Sequence, residues 1–334
     1  MAVVAPLRAA CWLEEALAPL APWLGRGEVS DLFINQPGEL WVESVGGGIE
    51  RIAVPALDEE RLWLIARQVA AASHQGISRA HPLLAASLPD GARVQVVAPP
   101  ATRGGMAIAI RKQAAHGLVL ADYGAAGAFA GLGVEVGRGA GRPWLGDAGD
   151  VLADPVGFLA RAVRGRANIL VSGGTSSGKT TFLGAMLREI PAAERLVLIE
   201  DTPELPQTHA NSVGLVATRG RGEAQVGVED LLLASLRLRP DRIILGEMRG
   251  GEAVSFLRAL NTGHSGSLSS IHADSPEGAL EQLAMIVMQA GSRLSRGDVV
   301  EYARGLIDVV VQMERCQGTR RVSRIMLTRA APML

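Results

Sequence analysis

The sequence predicts an α+β domain at its N-terminus, followed by an α/β domain built on a parallel sheet. Two observations support this fold class. Short apolar strands separated by turn sequences surround one helical segment in the first part of the chain, and strands alternate regularly with helices in the second part. With 334 residues, the chain is long enough for two domains that each bury their own core.

The N-terminal domain is predicted over residues 1–113 as a sheet with helices. Residues 31–54 alternate apolar strands with the turns QPGE and GGG, which is typical of an antiparallel meander. Residues 58–75 carry apolar side chains at helical spacing, and residues 83–100 are typical of two strands across a PDGA turn. We therefore expect one sheet with a helix on one face.

At the start of the chain, an apolar stretch is interrupted by Arg8, Glu14 and Glu15. A secretory signal peptide has an uninterrupted apolar centre, so we interpret this stretch as an amphipathic helix. The favoured interpretation packs its apolar face on protein, and the alternative lays that face on lipid.

Residues 114–150 are dominated by Gly and Ala with little periodicity, a composition that suits a flexible linker. Beyond them, residues 151–334 alternate strands such as NILVS, RLVLI and RIIL with helical segments. That alternation predicts a parallel sheet with helices on both faces.

The overall composition narrows the class of protein. The net charge of −1 argues against a dedicated nucleic-acid binder, so no strong direct contact with DNA or RNA is expected. No apolar run reaches the roughly 18 residues that a membrane helix requires. Because Cys11 and Cys316 are too few for a disulfide framework, a reducing compartment is indicated, and we expect a cytoplasmic protein.

The segment GGTSSGKTT has the spacing of a phosphate-binding loop, G-x-x-x-x-G-K-[ST]. It follows an apolar strand and opens a helix, where backbone N–H groups and the helix N-terminus bind the phosphates of a nucleotide such as ATP. Lys179, one of the two lysines in the chain, can reach the β- and γ-phosphates, and the Thr180 hydroxyl can bind Mg²⁺. The predicted nucleotide-binding residues of this segment are Gly173, Gly174, Thr175, Ser176, Ser177, Gly178, Lys179, Thr180 and Thr181.

Two acidic segments follow strands of the predicted parallel sheet. In RPDRIILGEMRG, Glu247 follows the strand RIIL and is the candidate to polarise the attacking water, with a surface carboxylate as the alternative. Gly246 stands where many P-loop ATPases carry Asp, so Mg²⁺ has no direct carboxylate ligand there. In LIEDTPEL, Glu200 is the candidate to contact Mg²⁺ through a water molecule, and helix capping by Asp201 or Thr202 is the alternative.

The segment NTGHSGSLSSIHAD, residues 261–274, carries two histidines. Zinc would need a third ligand and a serine–histidine dyad would need an oxyanion-binding motif, and neither is convincingly spaced here. After a phosphate loop and two acidic segments, a γ-phosphate sensor is the better interpretation. We expect His272, at the end of a strand, to reach the phosphate or the catalytic water, with residues 262–264 as the approach to it.

These motifs in this order, together with INQPGELWVE, HPLLAASLPDGARVQVVAPP and IAIRK, resemble the P-type DNA-transfer ATPase of bacterial type IV secretion systems. That protein is one branch of the type II/IV secretion superfamily of traffic ATPases. The resemblance runs from about Asp31 to Gln289. It implies a RecA-like P-loop NTPase domain, a homohexameric ring, ATP and Mg²⁺ as cofactors, and a nucleotide lying between the two domains.

The resemblance also implies roles for residues of the N-terminal domain. Arg93 and Arg111 match arginines that reach the terminal phosphate, and a charge at a sheet edge is the alternative for each. Asn35 matches a position that contacts the nucleoside, and a plain turn residue is its alternative. Ser265 and Asp274 depart from the family pattern, which has proline and asparagine at these positions.

The function implied is a hexameric ATPase that converts hydrolysis into domain motion at the cytoplasmic face of the inner membrane. It would power substrate transfer, pilus assembly or both, with other type IV secretion components as partners and secreted protein or DNA as an indirect one. A RecA-like nucleic-acid motor is the alternative, against which the near-neutral charge and the lack of an aromatic stacking stretch argue. No N-K-x-D motif occurs, which disfavours a GTPase.

Overall fold

The computed structural model describes residues 12–44, 47–112, 117–137, 142–218, 226–316 and 319–329 of the chain. These residues form two compact units, one within residues 1–115 and the other within residues 116–334. The described residues of the first unit form one sheet and one hydrophobic core, and those of the second form one sheet with a core on each face.

The strands of the first unit form one antiparallel sheet. They are β1 (Val29–Ile34), β2 (Glu39–Ser44), β3 (Ile49–Ala53), β4 (Leu83–Ser87), β5 (Arg93–Val97) and β6 (Ala107–Arg111). Their spatial order is β3-β2-β1-β6-β5-β4, and every neighbouring pair is antiparallel. The predicted meander of residues 31–54 thus forms one half of this sheet.

Helices of the first unit pack on the apolar face of that sheet. Residues 12–17 are helical and are followed by a 3-10 turn (Ala18–Leu20), α1 (Ala21–Leu24) and α2 (Glu59–Ala72). Asp58 caps α2, because its carboxylate accepts the N–H of Arg61 at 2.8 Å. Leu13 and Leu17 are buried in the same core as the strands. The described part of the N-terminal helix therefore packs on protein, as the favoured interpretation expected.

The described residues of the second unit form eight strands. They are β7 (Gly133–Val136), β8 (Ile169–Gly173), β9 (Leu196–Glu200), β10 (Ser212–Val216), β11 (Arg242–Leu245), β12 (Leu268–Ile271), β13 (Val309–Cys316) and β14 (Thr319–Leu327). Their order is β10-β9-β11-β12-β8-β13-β14-β7. Only β13 and β14 of these described neighbours pair antiparallel, so the core of the sheet is parallel, as predicted.

Helices cover both faces of this parallel sheet. They are α3 (Leu120–Ala125), α4 (Ala148–Ala153), α5 (Pro155–Arg164), α6 (Lys179–Leu187), α7 (Val228–Ser235), α8 (Glu252–Asn261), α9 (Pro276–Gln289) and α10 (Arg296–Leu306). Successive strand residues alternate between two cores: Ile169 and Val171 join the core that contains α5 and α6, and Leu170 joins the one that contains α8 and α9. The strands are therefore apolar on both sides, which explains their continuous hydrophobic runs.

The prediction of a flexible linker at residues 114–150 is wrong for the described part of that segment. It contains α3, β7 and the first residues of α4, and β7 pairs with β14 in parallel. Leu120 and Tyr123 are buried in the core of the second unit, and the Tyr123 ring packs edge-on against Phe182 at 4.9 Å between centroids. Small Gly and Ala side chains hide the apolar periodicity of this segment while still allowing close packing.

Among the described residues, no helix is both long enough and apolar enough to cross a membrane.

Candidate active site

The phosphate-binding loop connects β8 to α6, as the motif predicted. Ser176 and Gly178 adopt left-handed backbone conformations, with φ of 59° and 92°. The Ser177 hydroxyl donates to the carbonyl of Gly174 at 2.8 Å and closes the turn. Left-handed residues of this kind turn successive N–H groups to one side, and here they lead directly into the N-terminus of α6, so the loop has the shape of an anion-binding site.

The hairpin of β13 and β14 packs directly against this loop. A Cβ added at Gly178 would lie 2.8 Å from Cδ of Arg320, and one added at Gly173 would lie 2.6 Å from the carbonyl oxygen of Met313. At Gly173 the neighbour is a backbone atom, so any side chain would block this approach; at Gly178 the Arg320 side chain would have to move, and the left-handed backbone itself favours glycine. Arg320, which the sequence motifs did not single out, places the aliphatic part of its side chain beside the loop.

Lys179 is buried at the first position of α6 and folds back onto its own loop. Its Nζ donates to the carbonyls of Gly173 at 2.8 Å and Gly174 at 3.2 Å. Nζ also lies 3.9 Å from Oε1 of Glu247 and 3.4 Å from Nδ1 of His272. Burial lowers the pKa of Lys179, although Glu247 opposes that shift by favouring the charged form.

Glu247 follows β11 and lies at the carboxyl end of the parallel sheet. Its Oε2 accepts a hydrogen bond from Nε of Arg249 at 2.7 Å, whereas Oε1 lies 3.0 Å from Nε2 of His272. The contact of Oε1 with His272 is close, but Oε1 is buried and has no partner in hydrogen-bonding geometry among the described residues. This oxygen is available to a group that enters the site.

His272 follows β12 and brings a neutral ring into the site. Burial and the neighbouring Lys179 ammonium lower the pKa of His272, and Glu247 opposes them. Because an ammonium only donates, the contact of Lys179 with Nδ1 leaves the ring proton on Nε2, which lies 3.0 Å from Oε1 of Glu247 but outside hydrogen-bonding geometry with it. The predicted convergence of Lys179, Glu247 and His272 is therefore present in the structure.

The histidine segment is divided between the two edges of the sheet, which corrects one expectation. Thr262 and His264 precede β12 and lie at its amino end, where the Thr262 hydroxyl donates to the carbonyl of Arg258 at 3.0 Å. His272 follows β12 at the carboxyl end. The segments before and after a strand lie at opposite ends of that strand, so residues 262–264 do not form an approach to His272.

Glu200 is buried at the end of β9, where it organises the turn that follows. Its Oε1 accepts the backbone N–H groups of Glu204 and Leu205, both at 2.8 Å. Burial raises the pKa of Glu200 to about 7. No helix begins in the described residues 201–211, so the alternative of helix capping by Asp201 or Thr202 is wrong.

Gly246 is explained by its contact with Glu200. A Cβ added at Gly246 would lie 3.2 Å from Cγ of Glu200, tighter than ordinary packing distance. The glycine before Glu247 thus leaves room for the acidic side chain of the neighbouring strand. Glu200 ends β9 and Glu247 comes just after β11, so the two residues belong to the carboxyl ends of neighbouring strands, because β9 and β11 pair in parallel.

Arg249 is a site residue that the sequence analysis missed. Its Nη1 donates to Oδ2 of Asp201 at 2.7 Å while Nε and Nη2 both contact Oε2 of Glu247. Desolvation opposes the charged form, yet the net effect of Glu247 and Asp201 raises the pKa of Arg249. The feature that could have identified Arg249 is its position two residues after Glu247, close enough in the chain to pair with that carboxylate.

The predicted residues of the N-terminal domain lie in the first unit. Arg93 and Arg111 are directly opposite one another on β5 and β6, and Nε of Arg111 donates to Oδ1 of Asp31 at 2.8 Å. Neither β5 nor β6 is an edge strand, so the alternative of a sheet-edge charge does not apply. Asn35 follows β1 in an exposed turn. Contact of these side chains with a nucleotide stays a prediction.

Comparison with known proteins gives consistent matches over nearly the whole chain. The model of the family described as type II/IV secretion system protein matches residues 147–326. Type IV secretion system protein VirB11 of Bartonella henselae is 35% identical over 325 residues, covering 92% of this chain and 91% of that protein. The PtlH homolog of Bordetella bronchiseptica is 40% identical over 320 residues, covering 91% of each chain.

A solved structure agrees with these matches. The VirB11 ATPase from the Brucella suis type IV secretion system, described in complex with sulphate, is 35% identical to this chain. The alignment covers 94% of this chain and 97% of that one, with a TM-score of 0.50.

Proposed function

The chain belongs to the type II/IV secretion system protein family and is a type IV secretion ATPase, and we propose that it works as a Mg²⁺-dependent homohexamer. Its second unit is the RecA-like P-loop domain of that ring. The ring acts at the cytoplasmic face of the inner membrane with other type IV secretion components. It powers the transfer of protein or DNA, pilus assembly or both, through ATP hydrolysis coupled to domain motion.

One observation carries the proposal: Lys179, Glu247 and His272 meet where the phosphate-binding loop joins the carboxyl edge of the parallel sheet. These groups follow β8, β11 and β12, which are adjacent in the sheet. A triphosphate bound on the loop would take the place of the carbonyls to which Lys179 now donates, with Glu247 and His272 beside Lys179 to act on its terminal phosphate.

The residues fit ATP and Mg²⁺. The N-terminus of α6, the N–H groups of residues 174–178 and Lys179 supply the donors for the β- and γ-phosphates. Thr180, in the first turn of α6, offers its hydroxyl to the metal ion. Backbone N–H groups hold Oε1 of Glu200, so its other oxygen would be the one to contact the ion through water. When bound, Mg²⁺ neutralises charge on the phosphates and polarises the terminal one.

Glu247 performs the proton chemistry in this proposal. Its Oε1, which has no hydrogen bond among the described residues, accepts a hydrogen bond from the attacking water and orients that water toward the terminal phosphate. His272 donates from Nε2 to the water or the phosphate, which suits its role as a γ-phosphate sensor. Arg93 and Arg111 of the first unit supply guanidinium charge to the phosphate, and Asn35 contacts the nucleoside, as the resemblance implied.

Steady-state phosphate release by the purified full-length chain tests this function. We expect Lys179→Ala to abolish hydrolysis. We expect Glu247→Gln to lower kcat by roughly 10²–10⁴-fold while a fluorescent ATP analogue still binds. Lys112→Ala, at the other lysine of the chain, is the matched control and should keep normal turnover. Wild-type turnover in Lys179→Ala would contradict the assignment of the phosphate loop, and loss of nucleotide binding in Glu247→Gln would assign that residue a structural role.

A further inference from the structure

The side chain of Arg249 joins the two acidic segments of the site. Nη1 donates to Oδ2 of Asp201 at 2.7 Å, beyond the end of β9. Nε donates to Oε2 of Glu247 at 2.7 Å, beyond the end of β11, and Nη2 contacts the same oxygen. A guanidinium holds its donors in a rigid plane, so these bonds fix the direction of the Glu247 carboxylate relative to the neighbouring strand.

The backbone that carries Arg249 is fixed as well. Glu252, buried at the start of α8, accepts the N–H of Arg249 at 2.6 Å and that of Gly250 at 2.8 Å through one oxygen. Arg249 is therefore held at its main chain by Glu252 and at its side chain by Asp201. This double attachment distinguishes it from an arginine that swings freely in solvent.

The two oxygens of Glu247 consequently have different surroundings. Oε2 is engaged by the Arg249 guanidinium, whereas Oε1 is buried, faces Lys179 and His272, and has no hydrogen bond among the described residues. Rotation of the carboxylate out of its present plane would move Oε1 away from its place beside Lys179 and His272, and the bonds from Arg249 to Oε2 oppose that rotation.

We propose that Arg249 is a positioning residue that keeps Oε1 of Glu247 aimed at the attacking water, and that Asp201 acts on hydrolysis through Arg249. This inference rests on the proposed function, because it assigns a partner to the carboxylate that polarises the water. The positioning role does not require Arg249 to touch the nucleotide. Loss of the Arg249 side chain should therefore slow the chemical step and leave nucleotide binding largely unchanged.

The experiment compares kcat and the dissociation constant of a fluorescent ATP analogue across variants of the full chain. Arg249→Gln should lower kcat by about 10–100-fold, with the dissociation constant changed by less than about threefold. Arg249→Lys keeps one charge but cannot hold both carboxylates in a plane, so its kcat should fall between those of Arg249→Gln and the wild type. Asp201→Asn should lower kcat by about 3–10-fold in the wild type and have no further effect in Arg249→Gln.

Arg296→Gln is the matched control, because Arg296 also pairs with a glutamate, Glu281, at 3.1 Å, but on α10 and α9. Its kcat should equal that of the wild type. A wild-type kcat in Arg249→Gln or in Arg249→Lys overturns the proposal, as do additive losses in the double variant. Equal losses of binding and kcat also overturn it, since they assign Arg249 to nucleotide binding.

If Arg249→Gln does not fold, Asp201→Asn still tests the proposal. A wild-type kcat in Asp201→Asn contradicts it. Failure of the proposed function has a different signature: the wild type would then hydrolyse ATP no faster than Lys179→Ala. An active wild type with an equally active Arg249→Gln overturns the positioning role alone.

Discussion

An arginine pairs with a glutamate at each end of strand β11, but the two pairs differ in how fully they are hydrogen-bonded. At its amino end, Arg242 is completely buried and binds Glu194 through two hydrogen bonds of 2.8 Å, with further bonds to the carbonyls of Val163 and Gly266. At its carboxyl end, the Glu247 carboxylate has one oxygen bonded to Arg249 and one without a hydrogen bond among the described residues. The first arrangement is saturated, and the second retains an acceptor.

The amino end of this four-residue strand therefore contributes to stability, and its carboxyl end leads to the residues that act in hydrolysis. A buried guanidinium must have its donors satisfied, because an unpaired charge in the interior is strongly destabilising. Arg242 also lowers the pKa of Glu194 by hydrogen bonding, which keeps that partner ionised. At the other edge, an incompletely satisfied carboxylate is useful because a water molecule can bind there.

The largest expected effect on stability is at the amino end. Arg242→Ala leaves Glu194 without its main partner in a closed environment, so we expect the free energy of unfolding in urea to fall by about 3–5 kcal/mol. Arg164→Ala removes an exposed arginine that also pairs with a glutamate, Glu189, and should cost less than about 1 kcal/mol. Similar losses for both variants would remove the distinction between the two ends.

The next effect concerns the acidic carboxyl edge and depends on pH. Burial raises the pKa of Glu200 from 4.5 to about 7, so the folded state binds a proton that the unfolded state has lost in this window. The free energy of unfolding of the nucleotide-free protein should therefore fall as the pH rises from 4.5 to 7, by up to about 3 kcal/mol.

Urea titrations at several pH values measure this dependence. Glu200→Gln cannot titrate and should show a flatter profile between these limits, whereas Glu281→Gln, at a more exposed carboxylate, should keep the wild-type slope. If Glu200→Gln retains the full slope, the pH dependence belongs to another group, and burial of the ionised Glu200 costs less than the raised pKa indicates.

The smallest effect tests the contact between the two acidic strands. Gly246→Ala brings a methyl group within 3.2 Å of Cγ of Glu200 and 3.5 Å of the carbonyl oxygen of Ile199. We expect a loss of about 1–2 kcal/mol in unfolding free energy, with slower ATP hydrolysis because Glu200 is displaced. Gly305→Ala, where a Cβ meets no atom within 4 Å, is the control. Unchanged stability and turnover in Gly246→Ala would show that the site can relax around the methyl group.

Much of the fold and part of the site could be predicted from the sequence. The phosphate loop is a local structure in which consecutive residues fix their own turn and helix start, so its position followed from GGTSSGKTT alone. The order of strands and helices followed from apolar periodicity, and placed Glu200, Glu247 and His272 after parallel strands. The linker prediction failed because Gly and Ala carry little periodic signal even where they pack closely.

What the sequence determined, then, was which residues could meet at the carboxyl edge of the sheet. The tertiary structure decided how their side chains are paired: Arg249 with both Asp201 and Glu247, Gly246 against Glu200, and His272 without His264. Local sequence fixes backbone conformation and strand direction through short-range sterics and hydrophobic pattern. The partner of a charged side chain depends on strand order and register across positions far apart in the chain, and those are set only when the sheet assembles.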